Sequence, residues 1–442
     1  MKKTITIVIT LLMLLPFQSG AKDAVTSEDE MLARFLKYVK VNSQSQAGNL
    51  GEFTMTEGQQ EMARMLEAEI KSMGGKGVEC YRSDDAYVYV SIPSNLGDVQ
   101  VETLGVSCHL DFTPEAPGGD IKPNVIRNYR GGDIRLNDSL WIKTDSPEGA
   151  DLKECIGKTI IHTDGTTLLG GDDKNGCAIS MSLIETIIRS GKEFKHGPLQ
   201  FVFCPNEDIG LAAERIDTTR FNPDILIDID GEGGHDVLVA NFTASAQSVV
   251  FHGHDVHPGD AKQLKYGDAL AAAAFFMSQI PIESRPENSE GRQGYIHPWN
   301  LEKVGHEDYK VDVRIRYFAK EEGELLMRTL AYARKMTAAA FPNVGVELAG
   351  ESVQYENVAY SMWPESEQIV QKAMDDCGVE GNFVSVRGGT TASMFAAKGL
   401  KGGICLFSGQ HAIHSVFEYS VLEEMYAAFR VMLNVIGSVA QQ

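Results

Sequence analysis

Residues 199–210 read Leu-Gln-Phe-Val-Phe-Cys-Pro-Asn-Glu-Asp-Ile-Gly. The apolar run Leu199–Cys204 has the length and composition of a buried strand, and Pro205 and Gly210 frame a loop at its end. The strand therefore delivers an acidic pair, Glu207 and Asp208, to one edge of a sheet. The pattern recurs. A run over residues 103–108 leads to His109, a run from Ile225 to Ile229 leads to Asp230, and a run from Gly403 to Phe407 leads to His414. Helical stripes accompany these runs: Cys177, Met181, Ile184 and Ile188 in one segment, and Leu422, Met425, Phe429, Leu433 and Ile436 in the last. Strands alternating with helices predict an α/β fold, a sheet flanked by helices on both faces. In such folds, sites form outside the carboxyl ends of the strands.

Five side chains are candidate metal ligands: His109, Asp208, Asp230 and His414 at those positions, and Asp172 in Leu-Leu-Gly-Gly-Asp-Asp-Lys. Two imidazoles and three carboxylates suit two divalent metal ions, zinc or a similar borderline metal. If one carboxylate bridges, each ion has three protein ligands and a position for water, the arrangement of a hydrolase. Glu207, beside Asp208, is then placed as a general base. Neighbours compete for these roles. Asp173 reads as a helix cap, Asp228 falls inside its strand, and His411, which makes His-x-x-His with His414, reads as a bystander.

The chain has 442 residues, enough for two domains. A net charge of −21 argues against nucleic acid and anionic lipid as partners. Lys2 and Lys3 precede the apolar run from Ile5 to Phe17 and the small residues Ser19, Gly20 and Ala21. That pattern predicts a secretory signal peptide over residues 1–21, cut before Lys22. The run is shorter than the roughly 20 residues of a membrane span. An exported protein, periplasmic or extracellular, is expected, with no membrane partner after cleavage. Seven cysteines without a close pairing pattern do not make a disulfide framework.

Past the signal, Ser27-Glu28-Asp29-Glu30 is a capping box opening a helix. A second helix starts near Glu57 and stops at Gly74-Gly75. From about Pro114 to Thr166, turn residues predict a small irregular or β insertion. Over residues 243–352 the pattern changes. Tyr309, Val311, Val313, Ile315 and Tyr317 alternate with polar residues, Asp268 caps an Ala-rich helix, and another helix runs from about Glu321 to Phe341. This predicts an α+β layer inserted between 22–242 and 353–442, the two parts of the sheet domain.

Taken together, the motifs resemble the M20 metallopeptidase family, and within it the tripeptide aminopeptidases. The resemblance is carried by Asn128-Tyr129-Arg130-Gly131-Gly132-Asp133-Ile134, Thr163-Asp164-Gly165 with Leu168-Leu169-Gly170, Val256-His257-Pro258-Gly259 and Arg387-Gly388-Gly389-Thr390. It implies a zinc-exopeptidase-like catalytic domain and a lid domain that also forms a homodimer. It implies that Asp172 bridges, with His109 and Asp230 on one ion and Asp208 and His414 on the other. It further implies that Asp111 assists catalysis by orienting His109, that Glu207 is the general base, and that His257, Arg316 and Arg387 bind a short peptide. The chain departs from the family pattern at Phe112, where threonine is usual, at Asp208, where glutamate is usual, and at Thr391-Ala392, where Asp-Gly is usual. The expected function is an exported dinuclear zinc aminopeptidase acting on short peptides, tripeptides foremost. An amidohydrolase or dipeptidase of the same family, acting on N-acyl amino acids or dipeptides, and a peptide-binding member without turnover remain alternatives.

Overall fold

The computed structural model describes residues 25–46 and 53–441. The signal peptide expected over 1–21 lies outside the described residues. Contacts divide the chain into two compact units, Met1–Val237 with Trp363–Asn382 and Cys405–Gln442, and Leu238–Met362 with Phe383–Ile404. The second unit is larger than the predicted 243–352 layer. One reason is that the strand Gly345–Tyr355 keeps pairing with Thr243–His252 as far as Tyr355. Another is that the short strand Phe383–Val386 pairs with Val237–Asn241.

In the first unit the sheet follows the order Glu79–Arg82, Val88–Ile92, Leu199–Cys204, Leu104–His109, Ile225–Glu232, Gly403–His411, Tyr419–Val421, Ile160–His162, Asn124–Ile126. Leu104–His109 runs parallel to both of its neighbours, so these three strands present their carboxyl ends on one edge. Their residues are buried nearly throughout, as expected of strands covered on both faces. Two strands are longer than the sequence indicated. Asp230 lies inside Ile225–Glu232 rather than after it, and Gly403–His411 continues four residues beyond Phe407.

The helix Gly171–Ser190 is buried on almost every side, well beyond its predicted stripe. Gly176 permits this, because an added Cβ would come within 2.1 Å of the Ile229 carbonyl oxygen. Local signals set the other helix ends. Ser27 and Glu30 form the capping box of Glu28–Tyr38, and Gly74 with φ +72° ends Glu57–Met73. The 114–166 insertion builds a small core in which Tyr129, Ile134, Ile142 and Leu152 pack with Tyr419 and Val421.

The second unit holds an antiparallel sheet in the order Tyr295–Val304, Asp308–Tyr317, Thr243–His252, Gly345–Tyr355. Val311, Val313 and Ile315 are fully buried on one face, against the helices Ala269–Ser278 and Lys320–Ala340. Asp268 caps the first helix by accepting the Ala271 N–H at 2.9 Å. Among the described residues no helix is long and apolar enough to cross a membrane.

Candidate metal centre

All five candidate ligands lie in the first unit and converge at the carboxyl edge of its sheet. Asp172, at the start of its helix, is the hub. Its Oδ1 lies 2.8 Å from Nε2 of His109, and its Oδ2 lies 3.2 Å from Nε2 of His414. Asp230 Oδ1 is 3.5 Å from the His109 nitrogen, and Asp208 Oδ1 is 2.9 Å from the His414 nitrogen. Each imidazole thus faces Asp172 and one carboxylate of its own, the grouping expected if Asp172 bridges two cations. Glu207 Oε2 is 3.9 Å from His109 Nε2.

Asp111 ties this arrangement together. Its Oδ1 is 3.4 Å from Nδ1 of His109 and accepts the Glu207 N–H at 3.1 Å; its Oδ2 accepts the Asp208 N–H at 3.3 Å. Ser45 donates its hydroxyl to the same carboxylate. One buried carboxylate therefore holds the Glu207–Asp208 turn and faces the His109 ring. Asn206, in the left-handed region at φ +57°, bends the chain into that turn, and Gln59 holds its side-chain oxygen at 2.8 Å.

The neighbours that competed in the sequence have other work. Asp173 accepts the N–H groups of His109 and Gly176 at 3.1 and 2.8 Å, so both of its oxygens serve the backbone. Its closeness to His109 and Asp230 leaves it a geometric rival to Asp172, but those two bonds favour a structural role. Asp228 accepts the Ser107 hydroxyl at 2.5 Å inside the sheet.

Three contributors were not legible in the sequence. Glu418 is buried and accepts the N–H groups of Leu169 and Gly170, both at 2.8 Å, and of Asp172 at 3.0 Å, so it shapes the turn presenting the hub. Glu115 faces Nδ1 of His414 at 3.1 Å. Lys174, fully buried, donates to Ser43 at 2.5 Å and sits 4.8 Å from the ring centroid of Phe112, which accounts for an aromatic residue at that departure from the family pattern.

The electrostatics favour cations. Burial works against a charge on His109, yet Asp230, Asp111 and Asp172 outweigh it and raise its pKa well above the ordinary value. His414 is pushed up to about 11 by hydrogen bonds to Asp172 and Asp208. Burial opposes ionisation of Asp172, but the two imidazoles hold it below the usual carboxylate range. Asp208 and Asp230 move up, because of burial and then the charge of Asp172. A site that holds protons this tightly is one short of positive charge. Asp208 Oδ2 is moreover buried with no hydrogen-bond partner among the described residues. The donor set and this orphaned oxygen fit two metal ions.

His257, Arg316 and Arg387 all lie in the second unit. His257 is 79% exposed and accepts the Gly259 N–H. Arg316 donates to the carbonyls of Ser245 and Ile315. Arg387 donates to the carbonyls of Gly291 and Gln293 and to the Ser289 hydroxyl, and its guanidinium sits 4.9 Å from the Phe242 ring centroid. Those bonds give Arg387 a structural task in holding the 289–293 loop.

An α/β sheet whose carboxyl edge gathers two imidazoles around a shared aspartate, with a glutamate alongside, defines a metallohydrolase. The sequence profile of Peptidase family M20/M25/M40 matches residues 162–438, and the chain belongs to that family, as a metallopeptidase. Peptidase T of Escherichia fergusonii is 32% identical over 423 residues, covering 94% of this chain and all of the relative. Peptidase T of Caldanaerobacter subterraneus is 33% identical over 413 residues, covering 92% of this chain and 98% of the relative. Among solved structures, the aminopeptidase PepT from Bacillus cereus superposes with a TM-score of 0.68 at 20% identity, covering 94% of this chain and 99% of the other. A Bacillus subtilis protein described as a dinuclear metal binding peptidase from the M20 family gives 0.62 at 11% identity, covering 94% and 98%. These two likenesses show the fold.

Proposed function

We propose that the chain is an exported dinuclear zinc aminopeptidase that removes N-terminal residues from short peptides, tripeptides foremost. The observation that carries this is Asp172, with one carboxylate oxygen turned to each imidazole. His109 and Asp230 would hold one ion, Asp208 and His414 the other, with Asp172 shared. Bound there, the ions would polarise the scissile carbonyl and make a water more acidic. Glu207 takes the proton from the attacking water and returns it to the leaving amine. Asp111 holds the backbone of Glu207 and faces the His109 ring, which would keep the two in register. His257, Arg316 and Arg387 are proposed as substrate contacts, and the second unit as a lid and homodimer surface.

The peptidase T relatives, 32–33% identical over nearly the whole chain, support the aminopeptidase reading. The charged start and apolar run of residues 1–21 support export. Glu207→Gln is expected to lower kcat on a tripeptide by about 10²–10⁴-fold with zinc content unchanged. Full activity in that variant would remove the proposed base. A panel of tripeptides, dipeptides and N-acyl amino acids separates the aminopeptidase from a family amidohydrolase. A secreted form beginning at Lys22 would support export, and retention of the leader in the cytoplasm would refute it.

A further inference from the structure

The loop carrying His414 has to be held in place. Ala412 and His414 both adopt left-handed backbone, at φ +51° and +59°, a region that residues with a Cβ rarely enter. Within the loop, Ser415 donates to the Ala412 carbonyl at 2.7 Å and accepts the Phe417 N–H at 3.1 Å. The ends do the rest. Glu418 anchors the far end in its three backbone N–H groups. The near end is His411.

His411 is no bystander. Its Nδ1 lies 3.2 Å from Asp151 Oδ2 and its Nε2 lies 2.7 Å from Glu424 Oε2. The side chains of His411 and Glu424 are each 2% exposed. The ring lies flat on Tyr419, with centroids 4.8 Å apart and planes 2° apart. Lys158 completes the network, 2.7 Å from the other Glu424 oxygen. A neutral imidazole carries one N–H and can satisfy one carboxylate; here both nitrogens face carboxylates, so both donate and the ring is a cation. The reaction has no use for this charge, because His411 touches neither the candidate ligands nor Glu207 through any of these bonds.

We propose that His411 is a positioning residue: as an imidazolium joining Asp151 to Glu424, it fixes the near end of the 412–417 loop and so the orientation of His414. The inference rests on the reading of His414 as a metal ligand. Asp151 comes from the Pro147–Cys155 turn of the insertion and Glu424 from the C-terminal helix Leu422–Val439, so the strut joins the ligand loop to two separate elements. The other charged or titratable groups around the ring are Lys158, Tyr419 from the adjacent strand and Glu232 from the Asp230 strand. A pocket of about 430 Å³ beside it brings Glu154, His235, Asp236 and Glu380 to the same place. Burial weakens the ring's hold on its proton, but Asp151 and Glu424 overcome that and push its pKa up to about 9. The strut is therefore intact at neutral pH and is lost as pH rises through about 9.

The test uses the full mature chain. In its metal-free form, NMR should show the His411 ring titrating near pH 9. In the zinc-loaded form, kcat and zinc retention should both fall over the same range. Glu424→Gln removes one carboxylate and should move the ring titration and this limb to lower pH. His411→Gln should weaken zinc binding by about 10–100-fold, change KM little and leave no such limb. A limb unmoved in Glu424→Gln, or zinc affinity unchanged in a folded His411→Gln, would overturn the proposal. If His411→Gln does not fold, the position of the limb in Glu424→Gln decides. His414→Ala is the control for the underlying reading: if it holds zinc as the unaltered chain does, His414 is not a ligand, whatever His411 does.

Discussion

The two imidazoles of the site live in different surroundings. His109 is 2% exposed, ends a central strand, and has the fully buried Asp111 behind it. His414 is 33% exposed, sits on a loop in left-handed backbone, and has Glu115, 69% exposed, behind it. The same chemical device, a carboxylate facing the second ring nitrogen, is built once into the core and once near the solvent. Where the sheet fixes the backbone, one buried carboxylate suffices. Where a loop carries the ligand, orientation has to come from the loop's ends, at His411 and Glu418. A water-exposed partner is screened and contributes little by itself.

This contrast can be broken most severely at Asp172, which belongs to both halves. Asp172→Ala should lose both ions and all measurable hydrolysis, read by elemental analysis and a tripeptide assay; one ion retained at full occupancy would mean that the carboxylate is not shared. Next comes the buried partner. Asp111→Asn should weaken metal binding by about 10–100-fold. It should also lower kcat, because the same carboxylate holds the backbone of Glu207.

The alkaline side comes third. A group whose pKa is raised on folding contributes stability that is complete below its unfolded value and is lost as pH rises through its folded value. For His411 the window runs from the ordinary imidazole value of 6.5 to about 9. The melting temperature of the metal-free chain should fall across that window, and the fall should be smaller in His411→Gln, where His109 and His414, also raised on folding, still contribute it. The smallest effect belongs to Glu115→Gln, which should alter metal affinity by at most about fivefold, as for an exposed ion pair. A loss as large as that of Asp111→Asn would erase the distinction between the two halves.

Much of the fold could be read from nearby residues. The Ser27 to Glu30 capping box, the stop at Gly74 and the alternation from Tyr309 to Tyr317 involve neighbours a few positions apart, and each appears in the structure. Four of the five candidate ligands were found because each sits at or near the end of an apolar run, and the four runs proved to be consecutive neighbours in the sheet, three of them parallel; Asp172 was found at the start of a helix. The length of the Ile225–Glu232 and Gly403–His411 strands was missed, since Asp230, Gly231, Gln410 and His411 carry no strand signal of their own and are held by pairing across the sheet. Glu418 was missed for a related reason: its partners are backbone N–H groups some 250 residues earlier, which any side chains could have carried.

By itself, then, the amino-acid order determined which segments are helix and strand, which carboxylates and imidazoles stand at their ends, and hence the kind of chemistry on offer. Tertiary structure alone decided that Asp111 and Glu418 shape the site through backbone N–H groups, and that His411 is bound between two acids. Periodicity and capping act within a turn or two of chain. The state of a buried charge depends on whatever the fold brings within a few ångströms, and that is set only when distant segments pack and exclude water.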